Sequence, residues 1–411
     1  MNDFARAPQA GEFGSRQPLL VHVTTVPETF TFFRGQIAFM KNKGFRIQGV
    51  SSPGRLLQEA SRREDMPIYG VPMARRITPA ADLWSIIRLY RLFRALKPAI
   101  VHAHTPKGGL LGVLAARLAR VPVVVYGMRG LPFVTQSGWR RQMLLFTEWL
   151  SCHAADKVIT VSLATKATAV AARLCPAARI VVPGHGSSNG VDANGRFNPD
   201  NLPPGPGGRI REHYQIPPEA TVVGYMGRLV RDKGIIELAA AWQDLRARQD
   251  RLFLLLVGPV EPQDPIPEDI LLQFQEDSRV RWTGPVDDPV PLYAAMDLLT
   301  LPTYREGFPN TPLEAAAMGL PVVVTDVDGC PEAVAHGETG LVVRPRDSRA
   351  LAEALGALIE DPARRAAMGR AGRERVRQKF QPEVVWRGLY NTYLEQLAGR
   401  NVAEKSLLTP L

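Results

Sequence analysis

Short Val-, Ile- and Leu-rich segments alternate along this chain with longer stretches of helical periodicity, in two successive runs. Apolar segments of that length fit strands buried on both faces, and their alternation with helices predicts parallel sheets covered on either side. In the first run strands are expected near 19–24, 45–50, 100–103, 121–126, 157–161 and 179–182. In the second they are expected near 221–226, 252–257, 280–283, 298–301, 321–325 and 340–343. A Pro- and Gly-rich stretch from 192 to 220, with L-P-P-G-P-G-G at 202–208, parts the two runs. The predicted organisation is α/β: an N-terminal domain over 1–195, a linker over 196–220 with a cleft beside it, and a C-terminal domain over 221–381. A last helical stretch starts at Pro382, because the residue before a proline is pushed out of the helical region.

The segment 82–97 reads as an amphipathic helix with Leu83, Ile86, Ile87, Tyr90, Phe93 and Leu96 on one face and Arg88, Arg91 and Arg94 elsewhere. Since it feeds a strand at Ile100, packing on the sheet is its expected role, and lying on a membrane is the alternative.

Composition narrows the class. Contents of 45% hydrophobic and 22% charged residues belong to a globular protein, and no apolar run approaches the roughly 18 residues of a spanning helix. The polar stretch 1–17 lacks the charged start and apolar core of a secretory signal. Cys152, Cys175 and Cys330 are scattered without metal-ligand spacing, which fits reduced thiols in a cytosolic protein. The net charge of +10 hides an asymmetry: residues 1–200 hold 26 Lys/Arg against 11 Asp/Glu, a balance of +15, and residues 201–411 hold 24 against 29, a balance of −5. A basic first half suits an anionic membrane or a phosphorylated acceptor. Nucleic acid is not expected, because no zinc-finger spacing or RNA-binding box is present.

The most informative stretch runs from Tyr304 to Gly319, Y-R-E-G-F-P-N-T-P-L-E-A-A-A-M-G. It follows an apolar strand, turns over Gly307 to Asn310, and starts a short helix at Thr311 with Pro312 in the first turn and Gly319 past the end. Glu306 and Glu314 therefore flank a helix N-terminus, which favours an anion, and both carboxylates can accept hydrogen bonds from hydroxyls. Phosphate together with polyol hydroxyls describes a nucleotide sugar. A plainer reading stays open here, because Thr311-Pro312-Leu313-Glu314 also matches a capping box. Upstream, Gly227, Arg228 and Lys233 follow the strand 221–226, where ligands of open α/β sheets bind; an Arg fork and a Lys point charge suit a diphosphate.

E-G-F-P-N-T-P-L-E-A resembles the E-x7-E signature of the retaining glycosyltransferases of family 4, which have the GT-B fold of two Rossmann-like parallel-sheet domains facing a cleft. The resemblance extends over most of the chain, through V-P-E-T-F-T-F-F-R-G-Q at 26–36, S-S-P-G at 51–54, H-T-P-K-G-G at 104–109, R-G-L-P-F at 129–133 and G-H-G-S-S-N-G-V-D at 184–192. It implies that Glu306 meets the donor sugar, Glu314 the ribose, and Arg228 with Lys233 the diphosphate. Gly227, Val286, Gly307, Phe308, Pro309, Asn310, Thr311 and Leu313 would complete the donor site. His104 would border the cleft as a catalytic residue, and Lys107, Gly108 and Arg34 would meet the acceptor. Many relatives carry His where this chain has Arg129; an Arg is no base, so Arg129 would stabilise the diphosphate or bind an acceptor phosphate.

No metal or cofactor is expected, although Asp326-Val327-Asp328 has the spacing of a divalent-ion site. His102 and His104 share one strand face, but no third ligand is apparent near them. The resemblance further implies that the helix from 382 to 411 crosses back onto the first domain. The expected activity is transfer of a hexose or N-acetylhexosamine from a nucleotide sugar, UDP-linked, to a lipid-diphosphate-linked saccharide, in the cytoplasm on the inner face of the membrane. A nucleotide-sugar epimerase or a non-catalytic assembly partner of the same fold are the alternatives.

Overall fold

The structure, a computed structural model, describes residues 17–400 apart from 75, 77, 204, 262 and 263. The chain divides into two units, Met1–Asn189 with Pro382–Leu411, and Gly190–Gln381. In the first, β1 (Leu19–Val23), β2 (Arg46–Ser51), β3 (Ile68–Gly70), β4 (Ile100–His104), β5 (Val123–Met128), β6 (Lys157–Thr160) and β7 (Ile180–Val181) form one sheet in the order β3-β2-β1-β4-β5-β6-β7. In the second, β8 (Thr221–Met226), β9 (Leu252–Val257), β10 (Val280–Trp282), β11 (Leu298–Leu301), β12 (Val322–Thr325) and β13 (Gly340–Val343) are ordered β10-β9-β8-β11-β12-β13.

All strand pairs are parallel. Both sheets are of the α/β type that the strand–helix alternation predicts. Strand β3 has no counterpart among the expected segments, since three residues at a sheet edge carry too little pattern to be read.

Each sheet reverses its strand order once, between β1 and β4 and between β8 and β11. At such a reversal the crossover connections leave on opposite sides, and the carboxyl ends of the two strands open a crevice that serves as the usual ligand position of the fold.

The helix Pro79–Leu96 packs on the helix Pro106–Leu118, which also receives Gly138–Ala154. It is a core helix, and its buried stripe matches the expected face at Phe93, Ile86 and Leu96 but not at Leu83 and Tyr90. Ser85, Leu89 and Phe93 are inside, while Leu83, Trp84 and Tyr90 are exposed. Ser85 tolerates burial because its hydroxyl donates to the carbonyls of Pro72 and Ala81 at 2.6 and 2.8 Å. The C-terminal helix Pro382–Ala398 puts Val385, Leu389, Tyr390, Tyr393 and Leu397 into the first unit's core beside Phe30, Phe33 and Phe45.

Residues 196–220, expected as a linker, are instead built into the second unit. Pro206–His213 is a helix packed on the short helix Val290–Tyr293, and Arg211 within it donates to the Ala295 carbonyl at 3.0 Å and pairs with Asp297 at 2.9 Å. The proline that suggested a linker stands at the first helical position, where no hydrogen bond is lost.

Candidate active site

In the second unit Gly227 and Arg228 follow β8 directly, and a single 3-10 turn, Arg231–Lys233, leads through Gly234 into the helix Ile235–Arg248. Gly234 has φ of +70°, and a Cβ there would stand 1.8 Å from the Pro302 carbonyl oxygen. Only glycine lets this turn close on the loop after β11. The closure is stitched by the Asp232 carbonyl, which accepts from the Tyr304 N–H at 2.8 Å and from the Thr303 hydroxyl at 3.1 Å. Lys233 is thereby delivered to Glu306, and the two form an ion pair whose side chains are 20% and 14% exposed.

The helix after this loop is Asn310–Ala317, capped by Pro309 with no side-chain cap bond. It starts one residue before the expected Thr311, and the capping-box reading of Glu314 falls away. The Glu314 carboxylate accepts instead from the Tyr293 hydroxyl at 2.8 Å, and burial pushes its pKa up. Leu313 is fully enclosed, and Phe308 packs on Phe380 with ring centroids 5.6 Å apart, so these two side chains build the core under the site. Gly307 and Pro309 are buried, and Asn310 and Thr311 are half-buried at the helix start.

Arg228 pairs with Glu261 at the surface. The side chains are 51% and 30% exposed, so the pair is worth at most about 1 kcal/mol and releases the guanidinium readily to a stronger anion. Val286 is exposed on a loop that the Gly258 N–H holds to the Gly284 carbonyl at 2.9 Å. Arg228, Lys233, Glu306 and the Asn310 helix start thus all lie at the carboxyl ends of β8 and β11, the switch point of the second sheet.

The first unit departs further from expectation. His104 does not border an open surface: it is 1% exposed, with Nε2 3.0 Å from His22 Nδ1. His22, brought in by β1, is the third imidazole that appeared to be missing, and the His22, His102 and His104 nitrogens lie within 4.8 Å of one another. His102 Nδ1 lies 2.6 Å from the Tyr393 hydroxyl. Burial lowers the pKa of His22 to about 3 and those of His102 and His104 well below the usual value, so the trio is neutral.

Arg129 sits beside this trio and holds its charge, its pKa lowered by burial only to about 10. A doubly charged ion within about 10 Å of that guanidinium is repelled by roughly 3 kcal/mol or more at an effective dielectric of about 20. That disfavours a metal among these histidines.

Lys107 is committed elsewhere. Its ammonium pairs with Asp82 at 2.7 Å and donates to Thr78 Oγ1 at 3.1 Å and to the Arg76 carbonyl, which uses its three protons to tie two helices together. Gly108 donates its N–H to Thr25 Oγ1 at 2.9 Å, so its close approach serves the loop after β1 and not a ligand. Arg34 is exposed, and its carbonyl accepts from Asn189 Nδ2 at 2.9 Å. Glu261, Tyr293, Asp232, Thr303, His22 and Tyr393 have no motif of their own; they are found only through the strand order that brings them in.

Two parallel-sheet units, with acidic and basic groups gathered at the switch point of the second, are the architecture of the GT-B class of glycosyltransferases. Residues 220–361 match the family model "Glycosyl transferases group 1", and residues 29–185 match "Glycosyl transferase 4-like domain". The capsular polysaccharide biosynthesis glycosyltransferase CapM of Staphylococcus aureus is 34% identical over 93% of this chain and 99% of its own. A UDP-Gal:alpha-D-GlcNAc-diphosphoundecaprenol alpha-1,3-galactosyltransferase of Escherichia coli is 28% identical over 70% of this chain and 73% of its own. The crystal structure of Anabaena HepE in complex with UDP and glucose superposes with a TM-score of 0.78 at 21% identity, covering 92% of this chain and 100% of that one. The chain belongs to the family 4-like glycosyltransferases, and it is a glycosyltransferase.

Proposed function

We propose that this enzyme transfers a hexose or N-acetylhexosamine, with retention, from a UDP-sugar to a lipid-diphosphate-linked saccharide during surface-polysaccharide synthesis. The observation that carries the reading is the gathering of Arg228, Lys233, Glu306 and a helix N-terminus at one switch point. The donor and acceptor classes are those in the name of the Escherichia coli relative, and polysaccharide synthesis is that in the name of the Staphylococcus aureus one. No carboxylate in the first half of the sequence stands out as a nucleophile, so a front-face substitution is favoured over a covalent double displacement. The acceptor hydroxyl attacks the anomeric carbon as the bond to the diphosphate breaks, and the departing oxygen takes the hydroxyl proton. Arg228, Lys233 and the helix dipole receive the developing negative charge, while Glu306 orients the sugar.

Incubation with a panel of nucleotide sugars and a lipid-diphosphate saccharide tests this directly. A UDP-sugar is expected to be consumed only when acceptor is present, whereas conversion without acceptor would mark an epimerase and UDP binding without turnover an assembly partner. Because charge neutralisation rests on side chains, activity is expected to persist in excess EDTA. Abolition by EDTA with rescue by manganese would move the site to Asp326 and Asp328.

An anionic membrane is the proposed location of the acceptor. No helix among the described residues is long and apolar enough to cross a membrane. The helix Gly138–Ala154 presents Trp139, Phe146 and Trp149, which are 69%, 60% and 41% exposed, with Arg140 and Arg141 beside them. The helix Pro79–Leu96 adds exposed Trp84, Arg88, Arg91 and Arg94. Aromatic rings insert at the headgroup level, and each basic residue that reaches the surface adds about 1 kcal/mol. Co-sedimentation with anionic vesicles is expected at low salt and is expected to weaken near 0.5 M salt, where charges are screened within about 4 Å. Reversing Arg88, Arg91 and Arg94 is expected to weaken it too. Equal binding to neutral vesicles, or none to anionic ones, would leave the basic half to a water-soluble acceptor.

A further inference from the structure

Four side chains of the first unit aim unpartnered polar atoms at one small space. His104 Nδ1 and His102 Nε2 lie 2.6 and 2.9 Å from the place a Cβ on residue 127 would occupy, so Gly127 leaves room between them. Arg129 brings Nε and Nη1 and Gln36 brings Nε2, and none of these buried atoms has a hydrogen-bond partner. All four residues line one cavity of about 20 Å³, space for one or two water-sized atoms. Gln36, His102 and His104 are between 1% and 3% exposed.

The charge balance says what belongs there. Among the described residues Arg129 is the one charged residue lining the cavity, and its guanidinium stacks on Phe33 and Phe32 at 5.0 and 5.7 Å with no described carboxylate paired to it. Arg129 is half-buried, with Nε and Nη1 shut off from solvent; a cation so desolvated without a counter-charge destabilises the fold and is offset by an anion, while a metal ion would add to the imbalance. The imidazoles have tautomers to match. When the Tyr393 hydroxyl donates to His102 Nδ1, the His102 proton is on Nε2; when His22 Nδ1 donates to His104 Nε2, the His104 proton is on Nδ1. Both cavity-facing nitrogens are then donors, alongside Arg129 and Gln36.

We propose that this cavity is an oxyanion subsite that takes one or two oxygens of a phosphoryl group carried by the acceptor. The proposal rests on the transferase reading above and gives Arg129 a positioning role on the acceptor.

The test titrates sodium pyrophosphate into the full-length protein at saturating UDP. Wild type is expected to bind it, and Arg129→Met and Gly127→Ala are expected to weaken that binding by about tenfold or more, the scale of about one lost charge-assisted contact, with UDP affinity preserved. In the absence of anion Arg129→Met is expected to melt at a higher temperature than wild type, which also establishes that the variant folds. In kinetics, pyrophosphate is expected to compete with the lipid-diphosphate saccharide and not with the UDP-sugar. Unchanged binding by Arg129→Met, no binding once UDP is present, or inhibition that does not compete with acceptor would each overturn the subsite. Failure of wild type to bind UDP at all would instead overturn the transferase reading.

Discussion

Glu306→Gln is expected to lower turnover by at least about a hundredfold, the scale of removing one oriented electrostatic group from a transition state. The substitution is close to isosteric, and the amide oxygen can still accept from Lys233, so the loop after β11 is expected to keep its place. What changes is charge. With a carboxylate the Lys233–Glu306 pair is neutral, and an arriving sugar meets a strong acceptor for its hydroxyls; with an amide the lysine charge is uncompensated and the acceptor is weak. Steady-state turnover beside a circular-dichroism melt separates catalysis from folding. A variant that keeps most of its activity would remove Glu306 from the donor site.

Arg228→Ala is expected to lower kcat/KM by roughly 30-fold to several thousandfold, the equivalent of about 2–5 kcal/mol for losing one partner of a desolvated charge pair. In the free protein the expected effect is small, because the Arg228–Glu261 pair is half-exposed and contributes little to stability. That contrast is the content of the prediction: large in catalysis, near zero in melting temperature. It follows from a guanidinium that is held loosely until a diphosphate covers it. A large drop in stability with catalysis intact would make Arg228 a structural residue, and Lys233 would then be the main contact of the leaving group.

Much of this was readable in the chain because it depends on neighbours in sequence. Continuous apolar segments mark strands wherever a sheet is buried on both faces, and for that reason β8, β9, β11 and β13 fall on the expected residues. Glu306 and Glu314 flank a helix start because a proline and the turn before it fix where that helix begins. The linker reading of 196–220 failed from the same reliance on local signals. Proline and glycine mark a break in the chain, but they do not reveal that Arg211 finds Asp297 and anchors a helix there.

The sequence by itself determined the two parallel-sheet units, the acidic pair around a helix N-terminus and the basic character of the first half, since each depends on residue type and short spacing. Tertiary structure alone decided the partners: Lys233 for Glu306, Tyr293 for Glu314, Glu261 for Arg228, and His22 with Tyr393 for the histidines of β4. Parallel strands need not lie side by side in chain order, and the lateral order that puts β1 against β4 and β8 against β11 is set by crossover packing over the whole sheet. A half-buried guanidinium whose Nε and Nη1 meet no counter-charge is a property of that packing, and no stretch of sequence around Arg129 could have announced it.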